Sequence, residues 1–369
     1  MTNFKKYFYL SLIIALLNAS LLVIFFVPRF DHTDTPQYIS TIKHILGDPA
    51  AELFLARILK PLPILIGAVL APIFGVENTL IVQNLIFYFL SVCLVFFIIQ
   101  RFYHNEKQAF YGTVLYVGAY PMLAYGLASL TDLPGWFFFL ATVLLSLNFL
   151  KNPSFKTAAS AGLIAGFGML FKESVAAAPI FFASLIFIAT SFPFKEKIKY
   201  ILVFGASFLL FPFVNSIIMY KLYAYSYLDW YGSNRVGDET RTTLYVISFF
   251  RIVIEVARVL LIGWVFVLFG VLKEFALKNI ERLKILSAFI LPSLSVFLWS
   301  YPHNRMLYIA FPLLVSLGSF GLLRNYKNPK INTLAELVLL FLYVFVNYAV
   351  LHFLLKYGPI IQPPGTLFG

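Results

Sequence analysis

Charge is what this sequence has least of. Asp, Glu, Lys and Arg make up 12% of its 369 residues, against roughly 25% in a soluble globular domain, which excludes a water-soluble fold. Cysteine occurs once, at Cys93 inside the apolar run Leu85–Ile99, so one chain can build neither a disulfide framework nor a cysteine metal site. No long polar stretch interrupts the apolar segments, and no basic run interleaves with aromatics in a foldable polar segment. The net charge of +12 therefore does not point to nucleic acid. Gly162 and Gly166 are followed by nothing like a phosphate-binding Walker sequence and are expected to serve close helix packing.

What is present is apolar. Hydrophobic residues reach 61%, the mean hydropathy is +0.87, and Phe and Tyr contribute 42 and 22 residues. Crossing a bilayer takes roughly 20 apolar residues, with every backbone amide bonded inside the helix. On that basis the spans fall near Phe8–Val27, Thr79–Gln100, Ala109–Ser129, Leu133–Leu150, Ala158–Phe171, Val175–Phe192, Ile201–Tyr220, Val259–Leu272, Ile285–Ser300, Met306–Leu323 and Leu334–Leu355. The expected fold class is all-α and polytopic, with about 11 transmembrane helices (a range of 10–12). One membrane-embedded domain, 1–369, accounts for the whole chain. The opening Met1–Lys6 is too brief, and the first span too long, for a cleaved leader, so this span is read as an anchor.

Loop charges suggest an orientation. With the N-terminus cytoplasmic, one side collects sixteen cations and five carboxylates, and the other twelve and eleven, as the positive-inside rule requires. The inner loops are short basic anchors, such as 151–156 and 194–199. The outer face holds most of the carboxylates and the longest loops, 28–78 and 221–245. Chemistry is therefore expected on the extracytoplasmic face of a plasma-membrane protein.

In the first outer loop, Asp31 and Asp34 precede Thr35-Pro36, a helix start in which the hydroxyl is expected to cap free amides and the ring to occupy the first turn. Ile39, Ile42 and Leu46 then mark one face of an interfacial helix, and Leu62–Val76 is a second apolar stretch too short to cross. Two loop acids beside a helix start ordinarily only complement its dipole. Here, however, Thr131-Asp132, Lys172-Glu173-Ser174 and His303-Asn304-Arg305 place further ionisable residues at the ends of later spans. One such Lys would snorkel to the headgroups and a lone His would be structural; the set is harder to explain that way. Tyr223–Tyr231 reads as an interfacial aromatic belt, with stacking on sugars as the other reading. Arg251, Glu255 and Arg258 read as an ion-pair ladder on a helix face.

These residues resemble the GT-C type glycosyltransferases, including the protein O-mannosyltransferase and aminoarabinose transferase relatives. The resemblance rests on Asp34 and Tyr38, Arg57-x-x-Lys60-Pro61-Leu62, Thr131-Asp132, the Gly-rich span ending at Lys172-Glu173-Ser174, and His303-x-Arg305. It departs where relatives carry an Asp-Glu pair and this chain has Asp34-Thr35, and where relatives add a soluble domain. The resemblance implies a GT-C-like fold and an inverting transfer of sugar from a polyprenyl-phosphate donor to a glycan, lipid or protein acceptor. Asp34 and Asp132 would be the catalytic acids. Arg57, Lys60, Lys172 and Arg305 would bind the donor phosphate, and Asp31, Tyr38, Glu173 and His303 the substrates. No obligatory metal or other cofactor is expected, although the acids admit a divalent cation. The competing reading is a multi-pass transporter or lipid flippase, which calls for mid-span ionisable residues or matched interrupted halves.

Overall fold

The structure is a computed structural model that describes residues 3–25, 34–230, 244–298, 304–323 and 329–357. It is all-helical among the described residues. The helices are α1 (Asn3–Phe25), α2 (Thr35–Ile45), α3 (Leu55–Ile58), α4 (Pro61–Phe74), α5 (Thr79–Tyr103), α6 (Glu106–Val117), α7 (Tyr120–Tyr125), α8 (Asp132–Lys151), α9 (Phe155–Met169) and α10 (Ala177–Ala189). They continue with α11 (Phe194–Tyr223), α12 (Leu244–Leu260), α13 (Gly263–Leu277), α14 (Ile280–Ser287), α15 (Ile290–Leu294), α16 (Phe311–Leu322) and α17 (Pro329–Tyr357). Tight 3-10 turns occupy Glu173–Ala176 and Asn304–Ala310.

Six described helical segments are long and apolar enough to cross a membrane, and a bent pair across Leu261 makes a seventh if taken as one crossing. The protein is thus a polytopic membrane protein. The eleven crossings expected from hydropathy would draw on the shorter helices as well. Outward-facing Leu209, Leu210, Phe213 and Ile218 on α11, and Phe341 and Phe345 on α17, are exposed, as lipid-facing surfaces are.

Several expected spans are broken. The third divides at Gly118 into α6 and α7, and the eighth bends by 83° at Leu261. In lipid, carbonyls freed at a break must find partners inside the protein. At the first break Tyr343 Oη donates to Leu115 O at 2.8 Å and Asn18 Nδ2 to Val117 O at 3.3 Å; beside the second, Trp264 Nε1 donates to Val256 O at 3.0 Å and ties α13 back to α12.

The ends of the bundle follow from the parallel course of α5 and α8. Arg101, near the end of α5, donates to Asn148 Oδ1 at 2.8 Å near the end of α8. The first residues of both helices, Thr79 and Asp132, therefore lie at the other end. On the Arg101 side Lys107 pairs with Glu336 at 2.6 Å, and Arg282 with Glu274 at 3.2 Å.

Gly162 and Gly166 do pack helices. A Cβ on Gly166 would stand 2.2 Å from Phe208 O and one on Gly162 2.3 Å from Phe204 O, both on α11. Gly166→Val is expected to destabilise the protein by about 1–3 kcal/mol, the usual cost of overpacking. Thermal unfolding in detergent would read this, and an unchanged midpoint would show that α9 and α11 do not approach so closely.

Candidate active site

The first loop departs from its expected local chemistry. α2 begins at Thr35, but the hydroxyl does not cap it and neither does the side chain of Asp34. Thr35 Oγ1 instead donates to Ser129 O at 2.9 Å, tying α2 to the segment before Asp132. The buried face of α2 is Thr35, Tyr38, Thr41 and Ile42, whereas Leu46 is exposed. The correction has a local cause: α2 buries its face against α4 through Tyr38, Ile42 and Ile64, which rotates Leu46 outward.

Left without an amide to bind, the Asp34 carboxylate is held by Arg57. Arg57 Nη2 lies 2.6 Å from Asp34 Oδ1, and its Nε donates to Gln37 Oε1 at 2.8 Å. The guanidinium covers the Tyr38 ring at 5.1 Å, and the Tyr38 hydroxyl sits 3.1 Å from Thr131 Oγ1. Asp34 is thus oriented by residues three and twenty-three positions away.

The other half of the site lies deeper. Lys60 Nζ is 2.6 Å from Glu173 Oε2, and Lys172 Nζ is 3.3 Å from Asp132 Oδ1 and 4.0 Å from Glu173 Oε1. Arg305 joins the halves, with Nη2 at 3.9 Å from Asp34 Oδ2 and Nη1 at 3.7 Å from Asp132 Oδ2. The result is a continuous alternation, Arg57, Asp34, Arg305, Asp132, Lys172, Glu173, Lys60, assembled from five separated segments. Four cations face three carboxylates, leaving one positive charge in excess among the described members.

Exposure grades along this chain of charges. Asp34 and Arg305 retain 20% and 18% of their side-chain exposure, whereas Lys60 and Asp132 keep 3% and 0%. Both Asp132 oxygens lack a hydrogen bond of normal geometry, so the buried carboxylate is held by charge and keeps acceptor capacity. Burial by itself would lower the affinity of Lys172 for its proton, but the carboxylates of Asp132 and Glu173 outweigh it and hold the ammonium above its ordinary value.

Eight of the ten residues nominated from sequence, Asp34, Tyr38, Arg57, Lys60, Asp132, Lys172, Glu173 and Arg305, thus meet at one end of the bundle. Asp31 and His303 lie outside the described residues. Supporting residues that sequence reasoning did not single out complete the site. Tyr308 donates to Ser174 Oγ at 2.6 Å and packs at a tilt against Trp136 with ring centres 5.3 Å apart, fastening the Arg305 turn to the segment carrying Lys172 and Glu173. A spacing signal was there, since Tyr308 lies three residues beyond Arg305, and its partner Ser174 belongs to the Lys172-Glu173-Ser174 run already singled out. The aromatic stretch expected as a belt packs onto the site instead. Tyr227 donates to Leu59 O at 2.7 Å and the Trp230 ring lies 5.5 Å from Lys60 Nζ. The expected ladder survives as the Arg258–Glu255 pair at 3.1 Å, while the Arg251 side chain lies outside the described residues.

No three His, Cys, Asp or Glu side chains converge as metal ligands among the described residues. Asp34 and Asp132 both face Arg305, so a guanidinium stands between these two carboxylates.

Comparison with known proteins bears on this geometry. Residues 60–216 match the family model described as dolichyl-phosphate-mannose-protein mannosyltransferase. The matched segment contains Lys60, Asp132, Lys172 and Glu173. Among solved structures, the chain is similar to the Archaeoglobus fulgidus oligosaccharyltransferase tethered with an acceptor peptide containing the NVT sequon. That match has a TM-score of 0.58 at 14% identity and covers 97% of this chain and 56% of the other. For the same protein in complex with Zn and sulfate, the TM-score is 0.57 at 13% identity, with 95% and 54% covered. The chain spans a little over half the length of that relative. No curated protein sequence matches it. Over residues 60–216 the chain is thus similar to a mannosyltransferase family, and its fold is that of a membrane oligosaccharyltransferase, a GT-C type glycosyltransferase.

Proposed function

We propose that this protein is an inverting glycosyltransferase that moves a sugar from a polyprenyl-phosphate donor to an acceptor hydroxyl at the extracytoplasmic membrane face, with its N-terminus cytoplasmic. The observation that carries the reading is the seven-residue charge alternation at one end of the bundle, with its excess cation. A phosphodiester would supply the missing anion, and its charge grows as the glycosidic bond breaks. Preorganised cations aimed at that charge are worth most where water is excluded.

In this reading the acceptor oxygen attacks the anomeric carbon while the bond from that carbon to the phosphate oxygen breaks, and the electron pair leaves with the phosphate. The acceptor proton passes to Asp34, the more exposed carboxylate and the one an incoming hydroxyl reaches first. Arg57 and Arg305 offer forked donors to phosphate and Lys60 and Lys172 act as point charges. Asp132 holds Lys172 and Arg305 apart in a fixed array, and Glu173 does the same for Lys60. Tyr38, Asp31 and His303 are assigned to substrate contacts. The basic end opposite the site, with Arg101, Lys107 and Arg282, supports the cytoplasmic assignment of that side.

The test is transfer of labelled sugar, in membranes, from a panel of polyprenyl-phosphate sugars to lipid, glycan and protein acceptors. Transfer by wild type that is lost in a charge-neutralised site supports the proposal, and no transfer from any donor overturns it. Because Arg305 stands between the two acids, chelation by EDTA is expected to leave the initial rate within about twofold of the untreated value, where losing a catalytic ion would remove several kcal/mol. Abolition restored by a divalent cation would contradict this metal-independent reading.

A further inference from the structure

Two apolar grooves flank α12 on opposite sides. One, of about 220 Å³, runs between Val256 and Val259 of α12 and Leu294, Leu307 and Leu314. Leu307 lies two residues past Arg305. The other, of about 560 Å³, is lined by Ile254, Arg258 and Leu261 at α12 and by Val346, Val350 and Phe353 on α17. At 100° per residue, positions 254, 258 and 261 share one face of α12 while 256 and 259 lie on the reverse face. The two grooves are therefore separate.

Both grooves lead toward the charge alternation. α12 packs against α7 and against the Asn304–Ala310 turn, and α17 packs against α7 as well. Tyr120 and Tyr125 on α7 lie within electrostatic reach of Glu255 and Arg258, and Tyr125 also within reach of Arg305. α7, which carries Tyr120 and Tyr125, thus packs against both helices that wall the larger groove and against the turn that carries Arg305.

One feature of the larger groove selects its occupant. Its wall is aliphatic and aromatic except for Arg258, which keeps 22% of its side-chain exposure. The guanidinium meets Glu255 through Nη1 at 3.1 Å, which leaves donors of its five-proton fork to bind a second acceptor. A soluble glycan gains nothing from walls of Ile254, Val350 and Phe353. A molecule with an acyl chain and an anionic head satisfies both the walls and the fork.

Building on the glycosyltransferase reading, we infer that the larger groove binds the acceptor and that the acceptor is an anionic phospholipid. Its acyl chain lies between α12 and α17, its phosphate meets Arg258, and its headgroup hydroxyl reaches the site past Tyr120 and Tyr125. That hydroxyl forms the new bond to the anomeric carbon, gives its proton to Asp34, and the donor's phosphate departs with the electron pair of the broken bond.

The experiment uses the full chain in proteoliposomes containing photoactivatable phosphatidylglycerol, with an analogue of phosphatidylcholine, whose head is zwitterionic and has no hydroxyl, as the net-neutral control, and peptide mapping of the adducts. Adducts are expected to concentrate on 254–261 and 346–354. Arg258→Gln should reduce them roughly tenfold, the scale of one charge-assisted hydrogen bond, and Ala349→Trp, which blocks the groove without removing charge, should do likewise. Adducts spread evenly over exposed helices such as 209–218 would identify bulk lipid and overturn the inference. So would equal labelling by phosphatidylcholine, or displacement of the probe by polyprenyl phosphate, which would assign the groove to the donor. Sugar transfer measured on the same vesicles separates the two levels. Transfer to a soluble acceptor with no groove labelling overturns the lipid acceptor and leaves the glycosyltransferase reading intact. Selective labelling with no transfer from any donor overturns the acceptor role together with that reading.

Discussion

Asparagine at position 34 is expected to lower sugar transfer by roughly a hundredfold or more while leaving the protein folded, the range measured for loss of a general base. The substitution keeps the shape of the side chain and its oxygen facing Arg57 at 2.6 Å, but removes the group that takes the acceptor proton. Abundance in the membrane should match wild type because Asp34 is partly exposed and its neighbour Gln37 still receives a hydrogen bond from Arg57. The KM for donor should change far less than kcat, since the donor phosphate is assigned to the cations. A rate equal to wild type would demote Asp34 to an ion-pair partner and move the base assignment to Asp132.

Asp132→Asn should act differently, on stability first. Asp132 is fully buried and faces both Lys172 and Arg305. Removing one partner from a buried charge pair strands the remaining charge, at a cost of about 3–5 kcal/mol. The expected result is a clear loss of thermal stability in detergent. The double variant Asp132→Asn, Lys172→Met should recover much of that loss, because the stranded ammonium is removed with its partner. Equal stability of Asp132→Asn and wild type would mean that the alternation is not the rigid array described. Comparison with Asp34→Asn makes the distinction sharper: one substitution is expected to spare the fold and stop the chemistry, the other to weaken both.

How these residues came to be legible in the sequence is a matter of cost. An ionisable group in an apolar span is expensive, so Asp132, Lys172 and Arg305, each at the end of such a span, stood out against 61% hydrophobic residues. Lys60 and Arg57 stood out beside the proline that opens α4. Partner choice was not legible, because it is made between residues far apart in sequence. Nothing local says that Thr35 will bond Ser129 rather than cap its helix, or that Arg305 will bridge Asp34 and Asp132. Trp230 was misjudged for a related reason, since an aromatic side chain beside a span suits headgroups as well as it suits the ammonium of Lys60.

The fold divides along the same line. Long apolar helices such as α5, α8, α11 and α17 lie where hydropathy placed them. The breaks at Gly118 and Leu261 could not be read from hydropathy, which stays high across them. Asn18 and Tyr343, on distant helices, supply hydrogen bonds to the carbonyls freed at Gly118, and Trp264 ties the two sides of the Leu261 bend together through Val256 O.

Whether the gathered charges break a sugar–phosphate bond is decided with wild-type protein in proteoliposomes loaded with a labelled polyprenyl-phosphate sugar. The donor should be consumed, one polyprenyl phosphate should appear for each sugar transferred, and the product should have the opposite anomeric configuration. Intact donor crossing the bilayer without any release of polyprenyl phosphate would contradict this and identify a lipid transporter instead.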